Sequence, residues 1–155
     1  MNPPMQVLRF GVDYETVDKM CCFNRKFAEQ PGYAFITPRT WLEALASVGD
    51  TRVIYFDSVS GKPIFCAPIG RTQGELLKES KRHGWPSFRD AEVIWENVRI
   101  LEHTGEVVST SGTHLGHYLP DKKGNRYCIN LCAISGSPPD DPHVPEGARE
   151  QYLER

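Results

Sequence analysis

A mainly β (α+β) domain is predicted, an antiparallel β core with short peripheral helices, from three features of the sequence. Short runs rich in Val, Ile, Phe and Tyr are separated by turn residues, only two stretches carry helical spacing, and no repeat or linker divides the chain. With 155 residues, 39% hydrophobic and 25% charged, the chain has the size and composition of a single globular domain.

The elements follow in order. Residues 1–50 are expected to form an N-terminal wrap with one helix, because Met1 to Ile36 sustains neither a helical nor a strand period. That helix starts at Thr37-Pro38, carries Trp41, Leu45 and Val48 on one face, and ends at Gly49 and Asp50. The core is placed at residues 51–135. Arg52 to Phe56 and Pro63 to Ala67 read as a hairpin closed by Ser58 to Gly61, and Thr72 with Glu75 makes a capping box for a helix that Gly84 ends. Glu92 to Leu101, Glu106 to Ser109 and Arg126 to Ser135 read as strands, the last entered through the Lys123, Gly124, Asn125 turn. Residues 136–155, with Pro138, Pro139, Pro142 and Pro145, are expected to run extended over the surface.

A formal net charge of -2 offers no field to attract a phosphate backbone, so nucleic acid is not an expected partner. No run approaches the ~20 apolar residues of a membrane span and no signal region opens the chain, so no membrane association and a cytoplasmic location are expected. The cysteines are Cys21, Cys22, Cys66, Cys128 and Cys132, an odd number without a C-x-x-C pair. That pattern argues against a disulfide scaffold or a structural zinc site and for a reactive thiol in a reducing compartment.

Strand alternation puts Arg126, Cys128 and Asn130 on one face and Tyr127, Ile129 and Leu131 on the other. A permanent cation two residues from a thiol favours the thiolate, which predicts a cysteine reactive near neutral pH. The competing reading is an inert buried thiol beside a surface arginine. His114 and His117 supply imidazoles able to deliver a proton at pH 7. Three residues apart on a regular strand they face opposite ways, so Gly116 is expected to permit a bulge or bend that aims both into one cleft, with Gly112 offering similar freedom. Trp85, between Gly84 and Pro86, is presented on a rigid loop and could wall an apolar site, although core burial alone would explain it.

Three motifs in order, GWPSF at Gly84 to Phe88, GTHLGH at Gly112 to His117 and RYCIN at Arg126 to Asn130, together resemble the B-type methionine sulfoxide reductases. The resemblance spans Tyr55 to Ala133, about half of the chain. It implies reduction of methionine-R-sulfoxide, free or in proteins, an oxidative-damage repair reaction. Cys128 would attack sulfur, His114 and His117 would position and protonate the oxygen, Trp85 would wall the methyl group, and Arg126 and Asn130 would support the nucleophile. Trp85, Phe88 and Asn130 are the substrate contacts it implies. A sulfenic acid on Cys128 would be relieved through a disulfide reduced by thioredoxin or a similar thiol donor, and a monomer is expected.

The chain departs from the family at places that carry consequences. Many members bind zinc through cysteines at the positions held here by Asp57, Ser60, Val108 and Ser111, so no cofactor and no structural zinc are expected. His83 stands where members with a resolving cysteine often have it. Of the remaining thiols, Cys132 lies four residues along the presumed strand, about 13 Å, against the ~7 Å that a disulfide tolerates between Cα atoms. Cys66 is expected to be fixed on a hairpin strand, so Cys21 or Cys22, in the irregular N-terminal region, is the expected internal partner if external thiols do not act directly. A non-catalytic peptide-binding module on the same fold and a thiol redox sensor are the competing functions.

Overall fold

The β1–β2 hairpin forms where the sequence predicts it: β1 (Val53–Phe56) pairs antiparallel with β2 (Pro63–Ala67), all five β2 residues being buried. The computed structural model describes residues 3–6, 8–10, 12–18, 39–46 and 48–137. Asp57 closes the hairpin turn by accepting from the backbone N–H of Val59 at 2.8 Å and of Ser60 at 3.3 Å. The described part of the N-terminal region lies over this hairpin. Met5 N–H donates to Ser58, Arg9 N–H to Ser135, and the Arg9 guanidinium to the Ile54 carbonyl. This region also contains a helix the sequence did not reveal, α1 (Tyr14–Asp18), whose first turn is held by the Asp13 carboxylate.

Helix α2 (Arg39–Ala46) buries Trp41 and Leu45, four residues apart and so on one face, while Val48 beyond its end is exposed. The proposed start at Thr37-Pro38 and the proline-rich tail from Pro138 lie outside the described residues. Helix α3 (Gln73–His83) has the expected capping box, with reciprocal Thr72 and Glu75 bonds, and ends at Gly84 with φ 77°. A left-handed residue there lets the Gly84 N–H return to the Ser80 carbonyl.

The main sheet has five antiparallel strands in the order β3-β7-β6-β5-β4. They are β3 (Ser87–Phe88), β4 (Val98–Ile100), β5 (Glu106–Ser109), β6 (His114–Tyr118) and β7 (Tyr127–Ile129). Its apolar face packs on the hairpin and α3 through Phe65, Phe88, Leu76, Val107, Leu115 and Ile129, all buried. Mostly antiparallel β structure with a few short helices is thus the architecture of the described residues. None of their helices is long and apolar enough to cross a membrane.

Two predicted strands are shorter than expected. Glu92 to Leu101 is not one strand: Asp90–Glu92 is a 3-10 turn and pairing begins only at Val98. The fully buried Glu92 carboxylate accepts from Ile69 N–H, Arg89 N–H and the Arg71 guanidinium, and these partners fix the chain in a turn. Arg126 to Ser135 likewise stops being a strand at Ile129. The Asn130 side-chain oxygen accepts from Cys132 N–H at 3.0 Å and starts a 3-10 turn, Leu131–Ile134. Cys132 is therefore not on an extended strand, and the distance argument that set it apart from Cys128 does not apply.

Candidate active site

Sheet register assembles the site. Cys128 of β7 lies opposite Ser87 of β3 on one side and His117 of β6 on the other, and His117 lies opposite Glu106 of β5. Residues directly opposite project to the same face, so four polar side chains form a row across the sheet, away from the apolar core.

His114 joins that row through a bulge. In the β5–β6 ladder Val107 pairs with Gly116 and Val108 with His114, which leaves Leu115 as the extra residue. The three-residue separation of the histidines thereby becomes an effective two, and their ring centroids lie 5.7 Å apart, edge to face. Leu115 turns into the core and is fully buried. Gly112, at φ 93°, makes the turn into β6. Gly116 serves differently from expectation: a Cβ there would stand 2.0 Å from the Cys128 carbonyl oxygen, so its role is to let β7 come close.

A cavity of about 330 Å³ opens on this face, lined by Trp85, His114, Gly116, His117, Leu119, Cys128 and Asn130. Five side chains singled out in the sequence thus meet in one small, largely apolar depression, and Arg126 backs it. The Arg126 guanidinium Nη1 donates to Cys128 Sγ at 2.6 Å. Trp85 is half-buried, as a wall residue must be. Phe88 is a correction. On the two-residue strand it points opposite to Ser87, fully buried and stacked on Phe65 with centroids 4.5 Å apart, so it is a core residue rather than a substrate contact. Cys21 and Cys22 lie outside the described residues.

The expected thiolate is the second correction. Burial pushes the Cys128 thiol above its ordinary value, and the neighbouring Arg126 charge and hydrogen bond offset this only in part, with Glu79 adding to the rise. At 8% exposure the lost hydration of the anion outweighs the cation beside it. The resting group is a thiol near neutral pH. A raised value means that the thiolate fraction grows only as pH climbs past the range of a free cysteine. Accordingly, alkylation of Cys128 by iodoacetamide should rise with pH with a midpoint above that of a free-cysteine peptide, and Arg126→Met should move it higher. A midpoint below the peptide's contradicts the geometry.

Three participants escaped the sequence reading. Glu106 Oε2 lies 2.6 Å from His114 Nδ1, both residues being buried. A carboxylate only accepts, so Nδ1 carries the proton and the imidazole is fixed in orientation. The signal was present as a lone acidic residue at the head of the buried run Glu106–Ser109. Leu119, 48% exposed, forms the rim, and Ser87 hydrogen-bonds Arg126 at 3.3 Å.

The positions associated with zinc do not suit that metal. Asp57 is fully buried, and its two carboxylate oxygens lie 2.9 and 3.0 Å from the Thr113 hydroxyl while accepting the turn amides as well. With Ser60, Val108 and Ser111 the set holds no thiolate or imidazole, whereas zinc sites are built chiefly from those ligands. Asp57 instead links the β1–β2 turn to the loop entering β6 by hydrogen bonds. Among the described residues no group of three His, Cys, Asp or Glu side chains could hold a metal ion.

Comparison with known proteins agrees with the motif resemblance. No family model matches the chain. The chain is similar to the peptide methionine sulfoxide reductase MsrB of Staphylococcus saprophyticus, with 36% identity over 95 residues, 55% of this chain. That match spans 61% of the relative's length.

Proposed function

We propose that the chain reduces methionine sulfoxide, of the R configuration, to methionine, with Cys128 as the nucleophile. The observation that carries this reading is the cavity in which a buried thiol, an arginine on its sulfur, two histidines and an indole converge. The substrate has three needs: electrons for its sulfur, a proton for its oxygen, and an apolar place for its methyl group. Trp85 offers the methyl wall, and Cys128 Sγ meets the sulfur. His114, held by Glu106, and His117 take the oxygen.

The step balances without another reagent. Two electrons pass from the Cys128 sulfur to the substrate sulfur, the S–O bond breaks, and the oxygen with the thiol hydrogen ends as the sulfenic acid of Cys128. Proton transfer through the imidazoles lets a resting thiol serve, since its proton is the one the oxygen requires. The sulfenic acid then condenses with a second thiol, releasing water, and the disulfide is opened by thioredoxin or a similar donor. Cys66 is fixed on β2 in a separate cluster with Ile54, Phe56 and Ile94, and burial first, then the Asp13 charge, pushes the Cys132 thiol up to about 11. Cys21 or Cys22 remains the proposed internal partner.

Turnover assays on the separated R and S epimers with a dithiol as reductant test the reading; activity on R alone supports it, and activity on neither removes it. We further propose that the protein needs no zinc. Elemental analysis should find no stoichiometric zinc and chelator should leave the melting temperature unchanged, whereas one zinc per chain would refute this.

A further inference from the structure

The Arg126 guanidinium that touches Cys128 is itself held by few groups. Its Nε is buried without a hydrogen-bond partner and lies 4.0 Å from the Asp121 carboxylate. Among the described residues the Ser87 hydroxyl is the one oxygen within hydrogen-bonding distance of the guanidinium, 3.3 Å from Nη1.

The orientation of that hydroxyl is determined by a second contact. Ser87 Oγ lies 2.9 Å from Glu79 Oε2, and a carboxylate can only accept, so the single hydroxyl hydrogen points to Glu79. The lone pairs then face Arg126. Glu79 is anionic: burial pushes its carboxyl up, but hydrogen bonds from Arg89, Ser87 and Arg71 outweigh that and hold it below its ordinary value. Arg71 fixes Glu79 at 2.9 Å and also donates to the Ser87 carbonyl at 2.8 Å, while Arg89 bonds the other Glu79 oxygen. Ser87 N–H is bound to Ser80 Oγ at 3.1 Å. Backbone and side chain of Ser87 are thus both fixed, opposite Cys128 in the ladder.

We propose that Ser87 and Glu79 are positioning residues of the Cys128 centre: Ser87 holds the guanidinium on the sulfur, and Glu79 holds Ser87 while opposing the cation's charge. The array works in two directions. The hydroxyl keeps Arg126 close, which favours the thiolate, and the Glu79 anion counters it, which favours the thiol. The other titratable groups facing the centre are His114 and His117 from β6, Glu106 from β5 behind His114, His83 from the end of α3, and Asp121 beside Arg126. A resting thiol keeps its proton for the sulfoxide oxygen and resists adventitious oxidants, because the thiolate is the oxidisable form.

The inference rests on Cys128 being the reactive thiol, but its test reads alkylation rather than sulfoxide turnover, so the two can fail separately. The rate of Cys128 alkylation by iodoacetamide is followed across pH by peptide mapping in the full chain. Ser87→Ala should raise the midpoint and slow the reaction at pH 7 by about threefold, the net of a roughly tenfold smaller thiolate fraction and its higher intrinsic nucleophilicity. Ser87→Thr, which keeps the hydroxyl, should restore the profile. Glu79→Gln keeps a carbonyl for Ser87 and removes the charge, so its midpoint should fall and alkylation at pH 7 should quicken. A folded Ser87→Ala protein with an unchanged midpoint overturns the proposal. If Ser87→Ala does not fold, Glu79→Gln decides, and a midpoint that is unchanged or raised there overturns it equally.

Discussion

Cys128→Ser should leave no measurable reduction of methionine sulfoxide while the protein melts as the parent does. Serine is nearly isosteric with cysteine and can accept the Arg126 N–H in place of Sγ, so packing around β7 is preserved. What is lost is a nucleophile: a hydroxyl is not appreciably ionised at neutral pH and cannot take up the oxygen as a sulfenic acid. His114→Ala and His117→Ala should each retain the thiol but lower turnover by roughly 10²-fold or more, the usual scale for loss of a positioned acid. His114→Ala also removes the imidazole that the buried Glu106 contacts. Full turnover in Cys128→Ser, measured as methionine released, would remove Cys128 from the chemistry.

Gly116→Ala should damage both fold and site. The added Cβ would meet the Cys128 carbonyl oxygen at 2.0 Å and the Cys128 carbon and Ile129 Cα each at 2.9 Å. Every one of these atoms is backbone, so no rotamer change relieves the contact; β6 and β7 must move apart. Inserting a methyl group into packed structure commonly costs about 1–3 kcal/mol, and a clash with a central strand places this change at the upper end. The displaced residue is Cys128, the register partner of His117, so turnover should fall together with the melting temperature. Denaturation with parallel turnover assays checks this. Parental stability and activity in Gly116→Ala would mean that the two strands are not as close as described.

Much of this arrangement could be read in the sequence because it depends on local rules. The capping box at Thr72 and Glu75, the left-handed Gly84 and the β1–β2 hairpin are set by neighbouring residues, and all are present. Alternation put Arg126 and Cys128 on one face, and the expectation of a bulge between the histidines is met at Leu115. The misreadings involve side-chain bonds and burial that strand alternation does not show. Asn130 turns a β-forming run into a 3-10 turn with a side-chain bond that alternation does not register, and buried Glu92 does the same through partners more than 20 residues away. The motif places Phe88 with the site, although adjacent strand residues project to opposite faces and Ser87 and Phe88 divide in this way. The direction of the Cys128 shift depends on burial against one nearby charge, and sequence shows the charge alone.

The central claim, that the sulfoxide oxygen passes to Cys128, is tested most directly by one turnover without reductant on methionine-R-sulfoxide labelled with heavy oxygen, followed by peptide mass spectrometry. The account predicts one methionine formed per chain and Cys128 as the oxidised residue, either retaining the labelled oxygen as a sulfenic acid or joined by a disulfide to Cys21 or Cys22. Methionine formed while Cys128 remains a free thiol would contradict it.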